Sequence, residues 1–432
     1  MSALTIGSAV LLITLPILTP LITYASLEGI GLDTLAFRLA TDPMRLWARV
    51  HPMSIPTLQT CATLALFWGG AMLFYWLPGE RAAGVITPTG HMPLYTDNGR
   101  LHMALFTLVF CFGAMDGFYP WSILYDELHR IVCAHNVFFF AFSVFLYVKG
   151  RLFPDTLDVT FTGRGLLNDI YAGIELYPRI FGFDVKKLVN CRFSMTFWML
   201  FGISAAHASF AMHGTLDYGL MWNAIVTYVY LVKFFMWEIG YMRSIDIIED
   251  NAGFMETWGC AVFVPALYTN HMNLAVKRPT HYSFEAATAL GIGGLLCALM
   301  NYWTDRQRQV FRETNGKSML WWPTPPRSLH VDYTITTQTG ENEQRETLLL
   351  LNGFWGMVRH PQYIFEMGLA FFWGMLGDPI RNGVQPMLYF FLIVVLLTQR
   401  AHRDAAKCKL KYGSGYSNYV ANVPYLLIPK IY

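Results

Sequence analysis

Charge is scarce in this chain. Only 14% of its 432 residues are Asp, Glu, Lys or Arg, where a soluble domain carries about 25%. Length alone would divide a soluble chain of this size into two or three domains. Apolar runs recur along almost the whole sequence, so that arithmetic does not apply. Cysteine has no pattern: the seven residues stand singly, and without a CxxC pair neither a zinc ribbon nor a disulfide scaffold is encoded. Cys61, Cys111, Cys133 and Cys297 fall in apolar runs, where packing is the default role of a thiol. No basic residue precedes the first apolar run, which argues against a cleaved signal peptide and for a retained helix. Internal repeats and low-complexity tracts are absent as well.

What is present is 54% apolar residues, gathered into runs that match a bilayer core about 30 Å thick, which about 20 helical residues cross. The runs are Ile6–Leu27, Thr57–Leu77, Leu101–Tyr119, Trp121–Val148, Phe193–His213, Leu220–Met236, Gly253–Leu274, Ala286–Trp303, Ile364–Met375 with its flanks, and Gln385–Leu397. The expected fold is an all-α polytopic membrane protein of about ten transmembrane helices. A net charge of +2 selects no partner class, but its distribution is informative. From Arg400 to Tyr432 the chain has six basic residues (Arg400, Arg403, Lys407, Lys409, Lys411, Lys430) against one acid, Asp404. The positive-inside rule puts this terminus in the cytosol, and with ten spans the N-terminus joins it.

Four polar segments separate the runs: Pro78–Arg100, rich in glycine and proline and read as an ordered loop; Lys149–Arg192; Thr304–Thr347; and the basic tail. In the third, Thr304–Asn315 continues the preceding span as a charged helix that ends at Asn315–Gly316. Alternation of Val331, Tyr333 and Ile335 before a polar turn at Thr339–Gly340 predicts a small hairpin at the membrane surface. In the tail, Ala401–Lys411 reads as a basic helix, followed by a turn and a short helix in YGSGYSNYV.

Two basic groups bracket the stretch GFWGMVRHPQY (Gly353–Tyr363), and a third lies within it. Arg306, Arg308 and Arg312 share one helix, with 308 and 312 four apart on one face. Arg359 and His360 follow the hairpin, and Arg400, Arg403, Lys407, Lys409 and Lys411 follow the last span. Convergent arginines suit an anionic cofactor, because the planar guanidinium donates bidentate hydrogen bonds to phosphate. Trp355, Tyr363, Tyr412 and Tyr419 offer faces and hydroxyls. The plainer reading is that basic residues beside membrane helices meet lipid phosphates and that the aromatics form an interfacial belt.

The residues also carry a resemblance. LLLLNGFWGMVRHPQYIFEMGLAFFWGM, with LLTQRAHRDAAKCKLKYGSGYSNYVANVPYLLIPKIY, looks like the C-terminal signature of the sterol reductases, whose members act at carbon 14, carbon 24(28) or the Δ7 bond and whose relatives include the lamin B receptor. Thr162–Arg192 resembles that family's G-x-E-L-N-P-R segment, Ser244–Phe254 its central signature, and Arg308–Lys317 its cofactor helix. GVITPTG, YTDNG and GFWGMVRH look most like the Δ7 branch. The match runs from about residue 78 to the end.

The resemblance implies a ten-helix fold with NADPH in a cytosol-facing C-terminal pocket and a sterol entering from the bilayer. Residues 1–302 would form the membrane bundle with the sterol-side loops, and 303–432 the cofactor-binding half. Cofactor contacts would be Arg308, Arg312, Leu350, Trp355, Gln362, Tyr363, Asp404, Cys408, Lys409, Leu410, Lys411, Tyr412 and Tyr419. Proton donors would be Tyr230 and Asp404; read alone, Tyr230 is a packing or belt tyrosine and Asp404 a surface acid pairing with Arg400 or Lys407. The partners would be the sterol and membrane lipids, with no nucleic acid, and a eukaryotic member would occupy the endoplasmic reticulum membrane. Such a reductase must protonate an isolated alkene from one side and deliver hydride from the other.

Several residues depart from the family pattern. Arg308 stands for lysine and Gln362 for asparagine, which keep charge and amide. On the substrate side the departures are larger: Lys233 replaces an acid, Trp237 and Tyr177 replace asparagines, Glu249 a histidine, Cys260 an aspartate, and Ala405 an acid. Either the substrate differs, or the acid role moves, with Glu238, Glu249 and Asp250 as candidates. Glu238 closes an apolar run and would be costly unpaired, about 3 kcal/mol at mid-bilayer, and Lys233 is an imperfect helical partner. The alternatives are reduction at carbon 14 or carbon 24, a non-catalytic sterol- or NADPH-binding protein, and, from RHPQY, a membrane methyltransferase using S-adenosylmethionine.

Overall fold

The computed structural model describes residues 3–87, 89–320, 322–336 and 342–431. Each apolar run is helical, as a backbone in lipid must be, since only its own amides can satisfy its carbonyls. The chain opens with α1 (Ala3–Leu27). Two short helices that the sequence reading left unassigned follow, α2 (Leu32–Thr41) and α3 (Pro43–Ser54). Asp42 caps α3 by accepting from Arg45 N at 3.1 Å, with Pro43 in the first turn where its missing N–H costs nothing. Next come α4 (Leu58–Tyr75), α5 (Gly99–Met115), α6 (Leu128–Leu152), a π-helix π1 (Lys187–Ser194) running into α7 (Met195–His213), and α8 (Tyr218–Met236). A second π-helix, π2 (Phe254–Tyr268), leads to α9 (Asn270–Lys277), and α10 (Phe284–Glu313), α11 (Pro361–Leu376) and α12 (Leu388–Asn422) complete the series.

Six of these stretches are long and apolar enough to cross a membrane: Gly7–Leu27, Leu58–Tyr75, Leu128–Leu152, Lys187–His213, Tyr218–Met236 and Phe284–Glu313. The chain is a mostly helical polytopic membrane protein, and the count of ten spans stays an expectation. Among the described residues, three antiparallel ribbons decorate the helices. They are β1 (Glu80–Ala83) with β2 (Leu94–Asp97), β3 (Arg179–Ile180) with β4 (Phe183–Asp184), and β5 (Ser328–Thr336) with β6 (Asn342–Leu350). The polar turn at Thr339–Gly340 lies outside the described residues.

Two compact units form, Met1–Ala287 with Leu376–Pro386, and Thr288–Met375 with Met387–Tyr432. In the first unit, α1 packs on α6, π2 and α9, and α7 packs on α8. Proline governs the way these helices meet. Pro20 has no N–H to give the carbonyl one turn earlier, and that carbonyl, on Pro16, accepts instead from Asn136 Nδ2 at 2.8 Å. Pro265 interrupts π2 in the same manner. The carbonyls left over are met by Ser194 Oγ, which donates to Cys260 O at 2.6 Å, and by His135 Nδ1, 3.0 Å from Ala261 O. His135 therefore carries its proton on Nδ1, and Nε2 accepts from Trp68 Nε1 at 3.0 Å.

One buried ion network ties the helix ends together. Glu238, wholly buried, forms a two-pronged pair with the equally buried Arg192, with Arg192 Nη2 donating to Glu238 Oε2 at 2.8 Å. Arg192 Nη2 also reaches Asn98 Oδ1 at 2.6 Å. Lys187 Nζ lies 3.7 Å from Glu238 and donates to Thr96 O at 2.6 Å, while Asn98 Nδ2 closes the carbonyls of Tyr75 and Leu77. Gly99 is required there, because a side chain would run into Phe235 O at 2.8 Å. The partner of Glu238 is thus Arg192, not the sequence neighbour Lys233. Burial alone would raise the Glu238 carboxyl, but Arg192 and Lys187 hold it below the usual range. Removing one member of a buried pair strands the other, at about 3–5 kcal/mol. Arg192→Ala and Glu238→Ala should each lower the melting temperature in detergent sharply, and the apolar double replacement R192M/E238L should restore part of the loss. A double variant worse than the sum of the singles would refute the pairing.

Candidate active site

The second unit gathers most of the residues singled out near the C-terminus. The charged end of α10 stops where Asn315 (φ 49°) and Gly316 (φ 78°) turn left-handed. Gly353, at φ 69°, turns the chain after β6 so that Phe354 N donates to Gln307 Oε1 at 3.0 Å. That turn seats Trp355 against α10: Trp355 Nε1 donates to Thr304 O at 2.9 Å, and the Arg308 guanidinium lies 4.1 Å above the indole. Leu350 sits behind it, buried with Phe311 and Met319. Tyr419 OH, on α12, donates to Trp355 O at 3.3 Å.

His360 stacks on Tyr363 with ring centroids 5.0 Å apart, and its Nε2 is 3.7 Å from Asp404. Cys408 follows one turn later, its thiol 3.8 Å from Asp404. Burial raises the Asp404 carboxyl against the pull of Arg308, Arg400 and Arg312, and burial, then Asp404, pushes the Cys408 thiol up to about 12. Tyr412, raised to about 12 mainly by burial, meets Tyr333 of β5 edge-on at 5.2 Å. Lys411 Nζ lies over both rings, at 4.6 and 5.1 Å. Arg312 is exposed beside Arg308, Tyr412, Cys408 and Asp404. Lys409 and Leu410 point off this face of α12, Leu410 with 89% of its surface exposed. Arg359 is occupied by the chain itself, donating to Tyr425 O, Pro424 O and Tyr416 OH. It holds the turn.

The group suits a dinucleotide. Arg308 and Arg312 offer a pair of guanidinium donors, Trp355 and the tyrosines offer flat faces, and Gln362 Oε1 is buried without a partner. An amide acceptor so placed matches an amide or hydroxyl donor on a ligand.

In the first unit, Tyr230 of α8 belongs to a second constellation. One stripe of π1 and α7, Asn190, Ser194 and Trp198, is buried between α8 and π2. Trp198 meets Tyr230 at 5.8 Å and Tyr268 at 5.3 Å, and Lys233 Nζ lies 5.4 Å from the Tyr230 ring. At the other end Asn190 Nδ2 donates to Tyr241 OH at 2.5 Å and to Cys260 Sγ at 3.3 Å. From Asn190 to Trp198 is about 12 Å at 1.5 Å per residue, the scale of a fused-ring nucleus. Met255, Gly259, Phe263 and Tyr268, each a π-turn apart, line the open side of π2. A methyl group on Gly259 would meet no atom within 4 Å. Of the acids offered by the sequence reading, Glu238 is locked in its ion network. The one it missed is Glu256, whose Oε1 lies 3.8 Å from Cys260 Sγ. The signal was legible as a lone acid in the apolar run FMETWGCAVFVP, since an ionisable residue in such a run marks function by default.

A helical membrane bundle with a cation–aromatic platform in one unit and an open, polar-tipped helix face in the other has the parts of a lipid-modifying enzyme. Comparison with known proteins gives the family. Residues 5–432 match the ergosterol biosynthesis ERG4/ERG24 family. The 7-dehydrocholesterol reductase of Arabidopsis thaliana is 38% identical over 364 residues, covering 84% of this chain and 82% of that one. The Delta(14)-sterol reductase of Methylotuvimicrobium alcaliphilum is 30% identical over 400 residues, 90% and 86% of the two chains. The 7-dehydrocholesterol reductase of Danio rerio is 31% identical over 355 residues, 81% and 72% of the two chains. The chain belongs to the ERG4/ERG24 family of sterol reductases, which sets the methyltransferase reading aside.

His360 gives the site a pH signature. Burial, then Arg308 and Arg359, lowers its imidazole from 6.5 to about 3, outweighing Asp404, whose own carboxyl is shifted toward the neutral form. The unfolded chain takes up a proton below about pH 6.5 that the folded chain refuses, so this stability is present above that pH and is lost as pH falls toward 3. Replacing His360 by Gln removes the dependence. Between about pH 7 and pH 5, thermal melts in detergent should show the wild type losing about 2 kcal/mol more than H360Q, at ~1.4 kcal/mol per pH unit. Parallel curves would refute a buried neutral imidazole.

Proposed function

We propose that the protein reduces the Δ7 double bond of a Δ5,7-diene sterol, taking the hydride from NADPH, within a membrane that for a eukaryotic source is that of the endoplasmic reticulum. The cofactor assignment is carried by the Arg308 guanidinium stacked on Trp355 beside Arg312, Tyr412 and Tyr419. The choice of double bond is supported by 38% identity to a 7-dehydrocholesterol reductase, against 30% to a Delta(14)-sterol reductase. NADPH, when bound, supplies the hydride that the protein cannot.

Arg308 and Arg312 would hold its phosphates, Trp355, Tyr363 and Tyr412 would pack its rings, and Gln362 would accept from an amide. Lys411, over Tyr333 and Tyr412, adds a third positive charge, while Leu350 and Tyr419 fix Trp355 from behind and below. Asp404, its carboxyl raised by burial and near His360 and Cys408, would exchange a proton at this end of the site. The sterol enters from surrounding lipid and lies against the open face of π2, with Tyr230 toward the ring system. Aromatic faces there stabilise positive charge developing on the sterol as it is protonated.

Purified protein in detergent should consume NADPH and abolish the conjugated-diene absorbance of 7-dehydrocholesterol with equal stoichiometry. Product at carbon 14 or carbon 24 instead would move the assignment to those bonds, and NADPH binding without turnover of any sterol alkene would make the chain a binding protein. Arg308→Ala and Trp355→Ala should each weaken NADPH binding by about tenfold or more, since a desolvated cation–aromatic contact is worth ~2 kcal/mol. Undiminished affinity in both variants would refute the pocket.

A further inference from the structure

The open face of π2 in the first unit holds a carboxyl that no sequence motif accounts for. Glu256 sits in the first turn of π2, at the polar tip of that face. Its Oε1 is 3.8 Å from the thiol of Cys260, one turn on, and Cys260 Sγ in turn accepts from Asn190 Nδ2 at 3.3 Å. Asn190 connects onward to Tyr241 OH at 2.5 Å, so a chain of polar groups runs from Glu256 to Tyr241. Asn190 is only 7% exposed, and its Oδ1 has no partner. A buried acceptor left open beside a carboxyl is satisfied by a donor: the acid itself when protonated, or a ligand hydroxyl. Lys186, the nearest cation, is committed elsewhere, with Nζ donating to Ile247 O at 2.6 Å and Asp250 O at 2.8 Å. Beyond Glu256 the same face of π2 is open at Gly259 and apolar at Phe263 and Tyr268, so the carboxyl borders a face against which a flat apolar ring system can lie.

We infer that Glu256 is the acid that protonates the sterol double bond in this chain, a role Cys260 at the next turn cannot take. The inference rests on the reading of the protein as a sterol reductase. In the step, the Glu256 O–H bond breaks and its proton joins one alkene carbon through the π electron pair. The other alkene carbon, left cationic, takes a hydride from a reduced nicotinamide dinucleotide, which is thereby oxidised. The Glu256 carboxylate regains its proton from water after the product leaves. Tyr230, at the far end of the buried stripe and under Lys233, then packs the sterol.

The test is steady-state reduction of 7-dehydrocholesterol with NADPH by the full chain in detergent, with binding of both ligands measured beside it. Glu256→Gln should lower kcat by about 10²–10⁴-fold, the range of a lost general acid, while both ligands still bind. Adding Cys260→Asp to that variant, which restores a carboxyl one turn along the same face, should recover at least about tenfold of the lost rate. Active wild type with an equally active E256Q overturns the role of Glu256 and leaves the reductase reading standing. Wild type that reduces no sterol alkene overturns both. If E256Q loses both ligands through misfolding, Glu256→Asp decides: it keeps the acid one methylene short, and must lower kcat with KM little changed. An E256D enzyme with unchanged kcat overturns the inference.

Discussion

A charge pair that water never reaches organises the first unit. Glu238 and Arg192 are both fully buried and bound through two hydrogen bonds, with Lys187 and Asn98 completing the shell. Desolvating two ions is costly, and the attraction offsets that cost only when the geometry is fixed and the remaining donors are satisfied. The network therefore dictates position rather than adding bulk stability. It sets the end of α8 against the start of π1, brings β2 and the start of α5 beside them, and leaves room only for glycine at residue 99. Everything that borders the open face of π2 descends from those placements, because Asn190 and Ser194 follow Lys187 on the same turns and Tyr241 follows Glu238.

Widened helices provide the second constraint. A π-turn rotates successive side chains differently from an α-turn, and such turns concentrate at functional sites. In π1 and π2 the change of pitch lets Asn190, Ser194, Glu256 and Cys260 point at one another across two helices. Pro265 would otherwise leave carbonyls exposed in the interior, and Ser194 and His135 close them. The hydrogen bonding that stabilises the helices thus also fixes the buried stripe beside π2 and the tautomer of His135.

The sequence made the membrane architecture legible because long apolar runs have few physical outcomes, and through glycine and asparagine signals it placed the charged end of α10, the hairpin, and the kink in α12 where Gly413 takes a non-helical conformation (φ 52°, ψ −122°). It also pointed to residues that converge in the second unit, since Arg308, Trp355, Asp404 and Tyr419 lie in polar stretches where such types stand out. Three things escaped it. The amphipathic helices α2 and α3 alternate too briefly to rise above their flanks. Glu238 was read against Lys233, five positions away, because its partner lies 46 residues earlier and pairing across that distance is a property of the fold. Glu256 was passed over because attention went to residues that depart from a pattern, whereas the acid stood among residues expected only to be apolar. Leu410, drawn in with its neighbours on the tail, faces away from the cluster, since one residue along a helix turns a side chain by about 100°.

The carbonyl that Pro20 releases on Pro16 bears on how the chain enters a membrane. As α1 is inserted, nothing within the helix can meet that oxygen, and hydrocarbon leaves an unsatisfied carbonyl several kcal/mol worse off. Its donor, Asn136, is 120 residues downstream on α6, so it arrives only after α4 and α5 have been made. The first helix is thus obliged to wait, either shielded by the insertion machinery or hydrated near the lipid surface, until the fourth long helix docks against it. In the finished bundle, the bond from Asn136 is one that closes only when α6 lies against the first helix.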